Sequence, residues 1–366
     1  MKTRLRVGIV GANAEGQGWA PIAHFPALSK LPEYEIAAIC TAHADTAAAA
    51  AVKYGVERAF HDYKVMVREP DIDLVSVVVK APNHHEVVMA ALGAGKHVYC
   101  EWPLGANLAQ AEEMAALARS KGVKAIVGLQ ARGDPAIRYL HELIADGYVG
   151  DVLAVNMTMF TGGVLDRPAS RLWDRDRTKG ISALTVRGIH TMDSLCYCLG
   201  EFVEVSARVT TQVKQWRVVE TNERVDVDAP DNVTVNGVLE GGALVSVHVG
   251  TVPHNGSGWR MEIYGRDGTI RAVSKGSPQR DLSQLMGSKG GAPLALLPIP
   301  GHFTEMPADT PEGPPQNVGH LYLRMARAIR DDTPVEPDFD LAVKRHRLID
   351  VIQQSSDEDR TIKLTY

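Results

Sequence analysis

The sequence predicts an α/β chain in two parts: an N-terminal doubly wound domain over residues 1–130, and an α+β domain over 131–366 built on an open, mostly antiparallel sheet. Three observations predict it. Residues 4–129 alternate short β-branched runs with Ala-rich helical stretches, the pattern of βαβ units around a parallel sheet. Past residue 130 the strands lengthen and alternate apolar with polar positions, which gives one buried and one wet face. At 366 residues the chain also exceeds a usual single domain, and 45% hydrophobic with 23% charged residues supplies a sizeable core.

In the first part, strands are expected at 5–10, 34–40, 74–79, 97–100 and 125–129. Helices are expected at 44–54, 84–94 and 108–120, the last two ending at Gly95 and Gly122, which suit a left-handed C-terminal cap. In the second part a helix at 135–145 leads into strands at 152–160, 202–213, 232–239, 243–250 and 260–264, with a helix at 189–199 packed on the sheet. Residues 274–316, rich in Gly, Pro and Ser, are expected to form a long surface excursion. Helices at 318–330 and 341–353, packing back on the first domain, and a closing strand at 362–366 complete the reading.

The formal net charge of −5 gives no excess of positive charge to attract phosphate backbones or anionic membranes, so nucleic acid and membrane are not expected partners. The sequence has no apolar run of 18 residues, and its short basic start passes directly into a strand. A cytoplasmic protein without signal peptide or membrane span is therefore expected. Cys40, Cys100, Cys196 and Cys198 sit in apolar segments without zinc-type spacing, so they are read as reduced core thiols and no metal is expected.

The opening strand runs into Gly11-Ala12-Asn13-Ala14-Glu15-Gly16-Gln17-Gly18-Trp19, and a helix is expected to start near Pro21. A strand, a glycine-rich turn and a helix in that order aim unpaired amides and the positive helix end at a pyrophosphate. The cofactor is therefore expected to be NAD or NADP, held by Gly11, Asn13, Gly16, Gly18 and Trp19. Asn13 stands where a second glycine usually lies, and its tolerance of left-handed dihedrals would let the turn survive. The second strand ends Cys40-Thr41-Ala42-His43, with no acid placed to bind the ribose hydroxyls and repel a 2′-phosphate. Thr41 and His43 can hydrogen-bond a phosphate but no Arg adjoins them, which tilts the reading only slightly toward NADP.

Two later stretches, Val77-Val78-Val79-Lys80-Ala81-Pro82-Asn83-His84-His85-Glu86 and Ala94-Gly95-Lys96-His97-Val98-Tyr99-Cys100-Glu101-Trp102-Pro103-Leu104, join Gly128-Leu129-Gln130-Ala131-Arg132 in resembling the glucose-fructose oxidoreductase and inositol dehydrogenase family. The resemblance implies a Rossmann domain followed by an α/β domain whose open sheet commonly mediates oligomers, here a homodimer or homotetramer. It implies a nicotinamide cofactor, contacted by Lys80, Pro82, Asn83, His85, Glu101, Trp102 and Gln130, and a sugar, polyol or related cyclic substrate. Arg132, Trp173 and Arg187 join Trp102 and His190 in the substrate set.

Two departures bear on the chemistry. Family members usually read Glu-Lys-Pro with a working lysine, where this chain has Trp102, and the acid usually found four residues before the second-domain histidine is Val186. Both departures resemble the branch that contains the fungal galactose-regulon repressor. A tryptophan cannot take a hydroxyl proton, so the candidates for that role are His190, with Asp193 on the same helical face, and Lys80 or Lys179. Trp102 offers a flat indole that can stack on a nicotinamide or sugar ring. Two functions stay open: an oxidoreductase acting on a sugar, cyclitol or glycoside-like molecule, and a non-catalytic dinucleotide-binding regulator.

Overall fold

The computed structural model describes residues 4–14 and 18–365. Gly16, expected at the cofactor turn, lies outside the described residues. The chain forms two compact units, Met1–Gly133 with Glu305–His346, and Asp134–Thr304 with Arg347–Tyr366.

The first unit holds a six-stranded parallel sheet of β1 (Leu5–Val10), β2 (Tyr34–Cys40), β3 (Arg58–Phe60), β4 (Leu74–Val77), β5 (His97–Glu101) and β6 (Ala125–Gly128), in the order β3-β2-β1-β4-β5-β6. Strands buried on both faces need no alternation, and β4 and β6 are buried at every residue. The chain order reverses between β1 and β4, which opens a crevice at the carboxyl ends of those two strands. Three crossover helices, Ala44–Tyr54, His84–Gly93 and Leu108–Lys121, follow local signals. The first is a run of small residues closed by Gly55, and the third begins where the Asn107 side chain accepts from the Gln110 amide and ends on Gly122. The helix Pro314–Asp331 turns Val318, Leu321, Tyr322 and Met325 inward at helical spacing, onto the core formed by Val7, Ile9, Leu28 and Tyr99. That apolar stripe is why a segment so late in the chain belongs with the first unit.

The second unit contains β7 (Val152–Thr161), β8 (Asp166–Arg167), β9 (Phe202–Thr210), β10 (Gln215–Val218), β11 (Arg224–Asp226), β12 (Asn232–Leu239), β13 (Leu244–Thr251), β14 (Gly258–Gly265), β15 (Gly268–Ser274), β16 (Gln284–Lys289), β17 (Ala295–Leu296) and β18 (Ile362–Lys363). Nine of these form one sheet, β17-β16-β15-β14-β7-β13-β12-β9-β18. Its neighbours are antiparallel except β7 and β13, which run parallel. Strands β8, β10 and β11 make a small separate sheet over Trp216.

One face of the large sheet buries Val155, Met157, Met159, Val247 and Ile263. The helix Pro135–Ala145 starts where Asp134 accepts from the Ala136 amide and Pro135 fills the first helical position. It packs beside the helix Ile189–Leu199, whose Thr191 hydroxyl donates to the Met159 sulfur of β7 at 2.9 Å. The expectation of a plain excursion over 274–316 is corrected: β16 and β17 lie within it and extend the sheet. Gly287 and Ser288 interrupt the apolar alternation of β16, while Leu285 is fully buried. Among the described residues no helix is long and apolar enough to cross a membrane.

Candidate functional site

The glycine turn sits in the crevice between β1 and β4. Gly11 has φ +106°, and its amide donates to the Cys40 carbonyl at 3.0 Å. A Cβ on Gly11 would stand 2.3 Å from the Val78 carbonyl oxygen and 2.9 Å from the Val79 nitrogen, so only glycine lets the turn pass over the end of β4. Gly18, at φ +102°, reopens the chain before the helix Ala20–His24, a π-helical turn with Trp19 at its cap.

Asn13 corrects the expectation made for it. Among the described non-glycine residues positive φ occurs at Asn222, Asp332 and Asp359, so Asn13 does not adopt the left-handed conformation. Its carbonyl accepts from the Tyr54 hydroxyl at 2.9 Å, its neighbour Ala14 accepts from Lys53 at 2.6 Å, and Tyr54 stacks on Phe25. These bonds anchor the turn from the helix Ala44–Tyr54. The Asn13 Oδ1 is buried without a hydrogen-bond partner.

The chain after β2 is exposed and carries no acid. Thr41 donates to the His43 carbonyl at 2.9 Å and meets Thr46, while His43 stands at the helix N-terminus with no side-chain cap bond. Lys80 is exposed just past β4, and Pro82 and Asn83 follow it in a single 3₁₀ turn. His85 is placed otherwise: its Nε2 meets Glu113 at 2.8 Å on the helix Leu108–Lys121 and joins two helices.

Behind the crevice lies a buried polar network that no sequence signal marks. His24 Nε2 is 2.9 Å from Glu101, His24 Nδ1 is 2.8 Å from the Tyr322 hydroxyl, and Ser76 is 2.6 Å from that hydroxyl. Gln130 donates to the other Glu101 oxygen at 2.5 Å. A neutral ring satisfies the chain in one direction, with Ser76 donating to Tyr322, Tyr322 to Nδ1, and Nε2–H to the Glu101 carboxylate. Glu101 and Gln130 are therefore held as the wall of the crevice.

Trp102 is only 6% exposed and lies against the His346 ring, with centroids 4.9 Å apart. It fills the interior of the first unit. Arg132 is buried as well, its carbonyl accepting from Arg324 and its guanidinium 3.9 Å from Glu336.

In the second unit His190 opens the helix Ile189–Leu199, right after a π-helical turn, Ala183–Gly188, that carries Val186 and Arg187. Ser182 and Thr185 close a reciprocal capping box at its start. His190 and Asp193 are both buried, and the His190 Nδ1 has no hydrogen-bond partner. Burial pulls the ring down to about 4; Asp193 pushes back up and the Arg280 charge pushes further down. Burial thus keeps the ring neutral and opposes its protonation, and the Asp193 charge is what favours the protonated form. Lys179 is exposed, 3.9 Å from Asp176, and Trp173 is half-buried in the 3₁₀ segment Ala169–Arg175.

His346 is likewise pulled down to about 4 by burial. Between about pH 6.5 and about 4 the unfolded chain binds a proton at each of these histidines and the folded one does not, so stability falls with pH across that window. Each contributes a loss on the order of 3 kcal/mol, absent above the window and complete below it. Urea unfolding at stepped pH should show the slope, and His346→Gln should remove about half of it, leaving the His190 share.

Residues 5–129 match the GFO/IDH/MocA oxidoreductase family with an NAD-binding Rossmann fold, and residues 137–271 match the C-terminal domain of the same family. Dehydrogenase aclE of Aspergillus oryzae is 35% identical over 248 residues, 65% of this chain and 68% of that protein. The galactose/lactose metabolism regulatory protein GAL80 of Saccharomyces cerevisiae is 29% identical, covering 65% of this chain and 58% of its own length. A levoglucosan dehydrogenase of Pseudarthrobacter phenanthrenivorans is 26% identical over 73% of each chain. A levoglucosan dehydrogenase structure in complex with NADH and levoglucosan superposes with a TM-score of 0.86 at 22% identity, over 99% of this chain and 100% of that one, which shows the shared fold. This chain belongs to the GFO/IDH/MocA oxidoreductase family.

Proposed function

We propose that this chain is an NAD(P)-dependent oxidoreductase moving hydride between the nicotinamide and a hydroxyl or carbonyl carbon of a sugar, cyclitol or glycoside-like substrate. The observation that carries it is His190: a buried, neutral imidazole with an unpartnered nitrogen beside a buried carboxylate is a proton acceptor built into the second unit.

The first unit suits a dinucleotide. Gly11 and Gly18 free the backbone to approach a pyrophosphate, the buried Asn13 Oδ1 lacks a partner, and Glu101 with Gln130 walls the nicotinamide side. Thr41 and His43 leave room for either NAD or NADP at the adenosine ribose. The nicotinamide, when bound, supplies the hydride acceptor or donor. His190 takes the substrate hydroxyl proton, and Asp193 stabilises the imidazolium so formed. Lys80 and Lys179 are the alternative candidates for that role. The open sheet face, which exposes Leu244 and Tyr264 in a cross-strand row with Ala154, supports a homodimer or homotetramer.

The similarity to GAL80, together with Trp102 in place of the usual lysine, favours a second reading, a dinucleotide-binding regulator without turnover. The test is incubation with NAD and NADP separately and a panel of neutral and acidic sugars and polyols, following reduced nicotinamide by absorbance. Saturable turnover with at least one substrate is expected. Tight dinucleotide binding without turnover anywhere on the panel would give the regulator.

A further inference from the structure

The second unit contains a cavity of about 180 Å³ between β8, the segment Ala169–Arg175, the start of the π-helical turn and Trp216. Arg167, Arg171 and Arg187 line it, with Arg280 close enough to act on Arg187 by charge. The lining carboxylates are already engaged. Asp166 is held by Arg217 at 2.8 and 2.9 Å, Asp174 is held through Oδ2 by Arg171 at 2.7 Å while its Oδ1 is buried without a partner, and Asp231 accepts the backbone amides of Gln212 and Val213.

Two guanidinium groups are left with unmet donors. Arg187 is partly buried and makes no hydrogen bond or ion pair among the described residues. Arg167 stacks on Trp216 at 4.6 Å and gives one nitrogen to the Gly163 carbonyl, while its Nε is buried without an acceptor. A guanidinium offers donors in a rigid fork that matches a carboxylate or phosphate in two parallel bonds. Burial and the like charges of Arg167, Arg171 and Arg280 pull Arg187 down to about 10 against the opposing charge of Asp174, so the cations outweigh the single carboxylate that acts on it.

We propose that this cavity is an anion subsite, and that the molecule held by the second unit is an acidic sugar whose carboxylate or phosphate is bound by Arg187 and Arg167. The inference rests on the reading that the second unit holds the substrate, and it narrows the substrate class from sugars at large to sugar acids or sugar phosphates. Arg187 lies three residues before His190, so recognition and proton transfer share one helical segment.

The test is calorimetric titration of the dinucleotide-saturated protein with glucuronate, glucose 6-phosphate and glucose, at low and high salt. At least one of the two acids should bind roughly 10- to 100-fold tighter than glucose, and the advantage should shrink as salt rises. The larger advantage identifies the head group, carboxylate or phosphate. Arg187→Gln should reduce the acid to the affinity of glucose, and Arg187→Lys should recover part of the loss. Because three like charges outweigh the one carboxylate acting on Arg187, the ligand-free Arg187→Gln protein should melt no lower than the parent, an outcome that a purely structural arginine would not give. Arg167→Gln supplies the same comparison from the opposite wall. The inference is overturned if neither acid gains on glucose, or if the gain survives both substitutions. Anion binding through Arg187 without turnover leaves the inference standing and removes the catalytic reading.

Discussion

Replacing His190 with asparagine should lower kcat by roughly 10²- to 10⁴-fold while leaving dinucleotide affinity within a few-fold. The imidazole is buried at the head of the helix Ile189–Leu199, which the Thr191 bond to Met159 ties to β7, and is kept neutral by burial. Asn retains a side-chain amide of similar reach but cannot take a proton in this pH range, so the substitution separates proton transfer from packing. Steady-state kinetics on the best substrate and a separate dinucleotide titration check both halves. Activity that survives the substitution would move the proton-accepting role to Lys80 or Lys179.

The second large effect belongs to Gly11. A valine there must accept φ near +106° and also drive its Cβ into the Val78 carbonyl, 2.3 Å away, a backbone group that cannot swing aside. Strain of this kind costs on the order of 3 kcal/mol, and displacement of the turn should weaken dinucleotide binding by at least about 100-fold. Gly55 is the control. It too has positive φ, +65°, but a Cβ there meets nothing within 4 Å, so Gly55→Ala should cost about 1 kcal/mol and leave affinity unchanged. Thermal unfolding and calorimetry of the two variants side by side distinguish strain at the turn from general loss of stability.

Much of this could be read from the sequence because it is local. The parallel strands carry unbroken apolar runs, the glycine turn announces itself by composition, and the helix Ile189–Leu199 has clear bounds. Strand β3 escaped because it is three residues long and half exposed, too short for any periodicity. Strand β16 escaped because glycine and serine blunt its alternation. The site was legible where residues adjoin in sequence and hidden where they do not: Tyr322 meets His24 across 298 positions, and nothing near either residue signals the other. Arg187 was a candidate from the sequence, yet its grouping with Arg167 and Arg171 and their excess of charge depend on which carboxylates are already bonded, which only the packing decides. The depressed pKa of His190 is a property of burial, and no spacing rule yields it.

The central claim is that the turn from Gly11 to Gly18, at the reversal between β1 and β4, receives a dinucleotide. Calorimetric titration of the intact protein with NAD and with NADP tests it most directly. Saturable binding of one dinucleotide per chain, lost in Gly11→Val and kept in Gly55→Ala, is the predicted result; no saturable heat with either dinucleotide would contradict it.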